Sequence, residues 1–136
     1  MARFETTVAD FRRFVAATGY RTTAEKYGNA PGFQRNGTWG DVAGLSWRNP
    51  GFSQSSNHPV VCISYYDAQA YIDWLNENAE YAPELGFKPF YRLPTEAEWE
   101  FVGRAGSQTE FFWGNEPSDG RGYLNAADES GTPVGG

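Results

Sequence analysis

The sequence predicts an α+β fold with little regular secondary structure, and three observations carry that expectation. Helix starts are marked by Ser or Thr followed three residues later by an acid, at Thr7/Asp10, Thr22/Glu25, Ser64/Asp67 and Thr95/Glu98. Apolar runs that could extend as strands are short, such as Val60-Val61-Cys62-Ile63 and Phe90-Tyr91-Arg92-Leu93. Sixteen Gly and eight Pro interrupt regular elements throughout, while five Trp, eight Tyr and ten Phe supply rings large enough to pin irregular segments. That Gly and Pro content does not suggest a helical bundle.

The helices are taken in chain order. Thr7 with Asp10 opens a helix through Phe11, Phe14 and Val15 that stops near Gly19, with Val8, Phe11, Phe14 and Val15 on one face. Thr22 with Glu25 opens a short helix ending at Gly28, where Gly supplies the left-handed cap. Ser64 with Asp67 opens the longest helix, about Tyr65 to Asn78, whose spacing predicts an inner stripe of Ala68, Tyr71, Ile72 and Leu75 with Trp74 at its margin. Thr95 and Glu98 have the T-x-x-E spacing of a capping box, and Pro94 disfavours helix in the preceding residue. The helix from Glu96 to about Ala105 is expected to turn Ala97, Phe101, Val102 and Ala105 inward.

Between these helices the pattern is sparse. Residues 28–59 show little periodicity and are punctuated by Phe33, Trp39, Trp47 and Phe52, which read as an ordered, aromatic-pinned loop. Val60 to Ile63 reads as a buried strand feeding the third helix. Phe90 to Leu93 reads as strand-like. Glu110 to Gly114 is a short extended piece before a turn at 115–120, and the tail from Tyr123 is irregular.

Composition sets outer bounds. The 136 residues form one domain or part of one, and the net charge is −6. The densest basic spot, Arg12-Arg13, is a solvated helix face, so nucleic acid is not a predicted partner. No apolar run approaches the roughly 20 residues that a spanning helix needs. The first residues carry no hydrophobic signal core, and localisation stays open. Cys62 has no second cysteine to pair with; between Val61 and Ile63 it reads as a small buried hydrophobe. His58, the only histidine, has no partner at ligand spacing and reads as a turn residue whose ring caps or packs. Glu96 and Glu98 are explained by capping and the helix dipole, and Arg92 by pairing with one of these acids or a nearby carbonyl. Asn125-Ala126-Ala127-Asp128-Glu129 offers the oxygen donors a hard cation wants on a Gly-flanked loop, with a solvated loop as the alternative.

The run Arg92-Leu93-Pro94-Thr95-Glu96-Ala97-Glu98-Trp99-Glu100, continued by Phe101 to Gly106, resembles the hallmark of the formylglycine-generating enzyme (sulfatase-modifying factor) family, with Arg92, Thr95, Glu98 and Trp99 as its structural signature. His58-Pro59-Val60-Val61, Ser64-Tyr65-Tyr66-Asp67-Ala68, Ala70-Tyr71 and Trp74-Leu75 resemble a second segment. Trp39, Val42, Gly44 and Ser46 to Pro50 resemble a third. Phe112-Trp113-Gly114-Asn115 looks like the family's PWG turn and Glu5-Thr6-Thr7 like its start. The ordered set covers nearly the whole chain.

The resemblance implies a C-type-lectin-like α+β fold and, in enzymatic members, oxidation of a sulfatase cysteine to Cα-formylglycine by molecular oxygen. It implies calcium at Asn125, the Ala126 carbonyl and Asp128, and a Trp beside the substrate cleft at Trp39, although a ring in that loop reads first as a core anchor. Copper would be held by a C-terminal cysteine pair of the complete enzyme and not by this chain. The partner would be a sulfatase or other peptide substrate. The connection after Glu77, longer than in the animal enzymes, points to a bacterial-type member. Residues 1–136 read as a single partial domain, an internal fragment incomplete at its C-terminus, with no catalytic residue of its own. The same fold also serves as a non-catalytic binding or structural module and in other oxidative enzymes, so those alternatives stand beside the first.

Overall fold

In the computed structural model, residues 4–34, 37–120 and 123 are described. Helix α1 spans Val8–Thr18 and opens on the expected box: Thr7 Oγ1 accepts from the Asp10 N–H and Asp10 reaches back to the Thr7 N–H. It ends at Gly19, whose left-handed backbone donates its N–H to the Val15 carbonyl. Helix α2, Thr23–Tyr27, repeats the arrangement with Thr22, Glu25 and Gly28. Helix α3 spans Tyr65–Asn78 behind Ser64 and Asp67, and α4 spans Glu96–Arg104 behind Thr95 and Glu98. All four caps read from the sequence are present, and helices plus one small sheet make the fold α+β.

The stretch 28–59 departs from the expectation of a loop without strands. It contains an antiparallel hairpin, β1 (Asn29–Phe33) and β2 (Trp39–Ala43), in register from Asn29 opposite Ala43 to Phe33 opposite Trp39. Its open end is closed by the Gly44 N–H donating to the Gly28 carbonyl. Asn-Ala-Pro-Gly-Phe lacks the β-branched residues and alternation that reveal a strand, so backbone pairing had to supply what side chains do not announce. Asn36-Gly37 is the local signal that could have found the hairpin.

Residues 60–63 are a second correction: they form no strand. The pairing partner of the N-terminal segment is one step earlier, where Thr7 bridges Pro59 and the Val60 N–H donates to the Thr6 carbonyl. Cys62 then takes a left-handed conformation, φ 56°, which turns the chain toward the Ser64 cap and ends any extended run.

The chain divides into two compact units, Met1–Leu93 and Pro94–Gly136. The first is built on Val8, Phe11, Phe14 and Val15 of α1 with Trp47, and Tyr20, Val60, Ile63, Ala70, Tyr71 and Trp74 pack against them. Phe11 meets Trp47 edge-on at 5.3 Å between ring centroids, and Phe14 touches Tyr20, Tyr71 and Trp74. The face α3 turns to this core is Asp67, Ala70, Tyr71 and Trp74; of the expected stripe Tyr71 is there and marginal Trp74 joins it, while Ala68, Ile72 and Leu75 do not pack against the cluster. A buried carboxylate must keep its donors, and those held by Asp67 set the rotation of the helix.

In the second unit α4 buries nothing. Ala97, Phe101, Val102 and Ala105, expected to point inward, are all exposed, as is Trp99. Among the described residues of this unit only Gly120 is buried, so no closed core forms around the helix there.

Candidate functional site

Asp67 organises the first unit. Its side chain is fully buried and accepts from the Tyr20 hydroxyl at 2.9 Å, the Thr23 N–H at 2.9 Å, the Thr23 hydroxyl at 3.2 Å and the Ser64 N–H at 2.8 Å. One carboxylate thereby caps α3, holds the first turn of α2 and fixes Tyr20. Burial pushes its pKa up, but the backbone bonds from Ser64 and Thr23 and the Tyr20 hydroxyl outweigh burial and hold it below the ordinary carboxylate value. The Tyr20 phenol is pushed up to about 12, by burial first and then by Asp67. The S-x-x-D spacing revealed Asp67 as a cap. Its tie to Tyr20 and Thr23 crosses more than forty residues of sequence and has no local signal.

The Asn76 side chain stands in for a strand. Its Oδ1 accepts from the Tyr91 N–H at 2.7 Å, and its Nδ2 donates to the Tyr91 carbonyl at 2.9 Å. The segment 90–93, expected to be strand-like, pairs in no strand or bridge among the described residues. Arg92 donates to the Leu93 carbonyl at 3.1 Å, one of the alternatives foreseen for it. In the second unit, Glu98 accepts from the Thr95 N–H at 2.9 Å, and the Glu98 N–H donates to Thr95 Oγ1 at 3.3 Å. The signature residues Thr95 and Glu98 are thus engaged with each other, and Trp99 stands exposed.

The two tryptophans of the long stretch part company. Trp47 is 1% exposed and belongs to the core, with the Arg48 guanidinium 4.2 Å over its ring. Trp39 is 66% exposed at the end of β2, edge-on to Phe33 at 5.1 Å, so the core-anchor reading does not hold for it. His58 caps a turn as read: Nδ1 accepts from the Ser55 N–H at 2.7 Å. Cys62 is half-buried, and burial pushes its thiol pKa up, away from a nucleophilic thiolate. Asn125, Ala126 and Asp128 lie outside the described residues. Among the described residues, no three His, Cys, Asp or Glu side chains are grouped to hold a metal ion. No helix there is long and apolar enough to cross a membrane.

Each unit has a concavity among its described residues. A groove of about 630 Å³ runs between α1 and the end of α3 and is lined by Asp10, Arg13, Tyr71, Trp74, Glu80 and Tyr91 among others. An aromatic hollow of about 420 Å³ lies beside α4, walled by Trp99, Phe111, Phe112 and Trp113.

The family model described as the sulfatase-modifying factor enzyme 1-like domain matches residues 1–131. The chain belongs to this family. As a sulfatase-modifying factor enzyme 1-like domain it is similar to the formylglycine-generating enzyme of Mus musculus, 36% identical over 148 residues covering 92% of this chain. It is similar to the formylglycine-generating enzyme of Thermomonospora curvata, 37% identical over 135 residues and 84% of this chain. It is also similar to the inactive C-alpha-formylglycine-generating enzyme 2 of Bos taurus, 33% identical over 135 residues and 83% of this chain. The chain spans 36% of the length of the first relative and 40% of each of the other two. Animal and bacterial relatives match this sulfatase-modifying factor domain about equally, so identity does not single out the bacterial branch.

Proposed function

We propose that the polypeptide carrying these residues is a formylglycine-generating enzyme that oxidises a cysteine of a sulfatase to Cα-formylglycine with molecular oxygen. The observation that carries this reading is the family match over residues 1–131, joined by relatives named for that activity at 36% and 37% identity. In it, residues 1–136 supply the scaffold and one wall of the peptide groove in a C-type-lectin-like fold. The α1–α3 pair, the small hairpin and the aromatic-pinned loops support that fold. Trp39 is the residue proposed for the groove wall, because a large ring left 66% exposed beside Phe33 offers apolar area to a peptide.

Copper does not fit the side chains described here. Cys62 is the sole thiol, and its desolvation disfavours the thiolate a soft metal needs. No step is assigned to these residues through that metal. Calcium is proposed at Asn125, the Ala126 carbonyl and Asp128, whose oxygen donors suit a hard cation.

The test uses the complete reading frame containing residues 1–136. A cysteine peptide from a sulfatase should be converted to the aldehyde, read by mass spectrometry. Trp39→Ala should raise KM about tenfold with little change in kcat, as expected for loss of one aromatic contact. Absence of conversion by a folded, copper-loaded protein would overturn the reading. Millimolar calcium should raise Tm, and Asp128→Ala should remove that rise.

A second reading is a non-catalytic peptide-binding module, favoured by the likeness to a relative named inactive. The complete reading frame separates the two: a cysteine pair able to hold copper favours the oxidase.

A further inference from the structure

The groove between α1 and α3 has a composition that the sulfatase reading does not use. Tyr71 and Trp74 stand side by side in its wall, ring centroids 6.0 Å apart and 33° from parallel, and Tyr91 lines it with them. The Asn76 amide fixes the Tyr91 backbone beside the groove. Asn78 donates to the Trp74 carbonyl at 2.8 Å and steadies the end of the helix beneath it.

Three charged side chains line the groove: Asp10, Arg13 and Glu80. Asp10 and Arg13 are paired at 2.8 Å on α1, and Asp10 also accepts from the Thr7 hydroxyl at 2.6 Å. That wall carries no net charge. Glu80 makes no hydrogen bond or ion pair among the described residues, so the groove as a whole is negative by one charge.

We propose that this groove binds an organic cation, a tetraalkylammonium or guanidinium group, over Tyr71, Trp74 and Tyr91, with Glu80 as counter-ion. Aromatic faces carry negative electrostatic potential and attract weakly hydrated cations; a free carboxylate at the rim adds to that attraction. At about 630 Å³ the space is of the size small-ligand sites occupy. Such a group could belong to a free small molecule or to an arginine side chain of a polypeptide.

The experiment titrates the complete protein carrying residues 1–136 with tetramethylammonium chloride and, separately, arginine amide, while following the Trp74 indole resonance by NMR. A saturable shift at millimolar concentration is expected, with no shift from sodium chloride at matched ionic strength. Glu80→Gln should weaken binding about fivefold. Tyr91→Leu should weaken it about fivefold to tenfold. Both positions are exposed, so circular dichroism should be unchanged in each variant. A response equal to that of sodium, or unaltered affinity in both variants, would overturn the proposal. Tighter binding of an arginine-containing peptide than of arginine amide marks a polypeptide as the source; equal binding marks a free cation.

Discussion

At the scale of single residues, Asp67 has the largest predicted effect. Its carboxylate accepts four hydrogen bonds from three residues, so Asp67→Asn leaves at least one buried donor without an acceptor and should cost about 2 kcal/mol. The sign of the pH dependence comes from a folded pKa below the ordinary 3.8. The stability it contributes is complete above that value and is lost as pH falls through the lower folded value. Urea unfolding at pH 7 and pH 3 should show the gap between wild type and Asp67→Asn narrowing in acid. Tyr20 has the opposite limb. With its phenol pushed up to about 12, its contribution is complete below pH 10 and fades as pH rises through about 12. Tyr20→Phe should cost about 1 kcal/mol at neutral pH and flatten that alkaline limb.

At the scale of elements, α4 carries two residues whose positions look exchanged. Gly103 is in the last turn of the helix with ordinary helical backbone, where a Cβ would meet nothing within 4 Å. Ala105 forms the left-handed cap at φ 48°, a conformation in which glycine has no steric penalty. Gly103→Ala should therefore stabilise by about 0.5–1 kcal/mol and Ala105→Gly by a similar amount, read from thermal melts of the single and double variants. The same element shows how far sequence reaches. Every helix start was legible, because a cap is a bond between residues three apart and needs no knowledge of the rest of the chain. The hairpin was not, because Asn29 to Phe33 holds its place by backbone pairing with Trp39 to Ala43 and offers no side-chain alternation. The rotation of α3 escaped for a related reason: Asp67 faces inward on account of Tyr20 and Thr23, residues that no periodicity connects to it.

At the scale of the whole molecule, exposed apolar area dominates. Phe33, Trp39, Phe90, Trp99 and Phe101 are each half or more exposed, and the net charge of −6 is modest against such a surface. The chain should self-associate as concentration rises, and Trp99→Lys with Phe101→Lys should shift sedimentation toward the monomer without altering helix content. Of the candidate site, the sequence revealed residue types and little of their surroundings. It matched Trp39 and Trp47 to one segment, whereas packing placed Trp47 in the core and left Trp39 outside. The groove was invisible, since Asp10, Tyr71, Glu80 and Tyr91 converge only through the packing of α1 against α3. The bond between Asn76 and Tyr91 has a consequence for how this family can vary. It fastens both ends of the intervening segment, so the position of Tyr91 is decoupled from that segment's length. Residues can be gained or lost between 80 and 89 at an entropic cost of only about 0.6 kcal/mol per doubling of the loop. The Arg92 to Glu100 signature would keep its start point in homologues whose connecting segments differ in length.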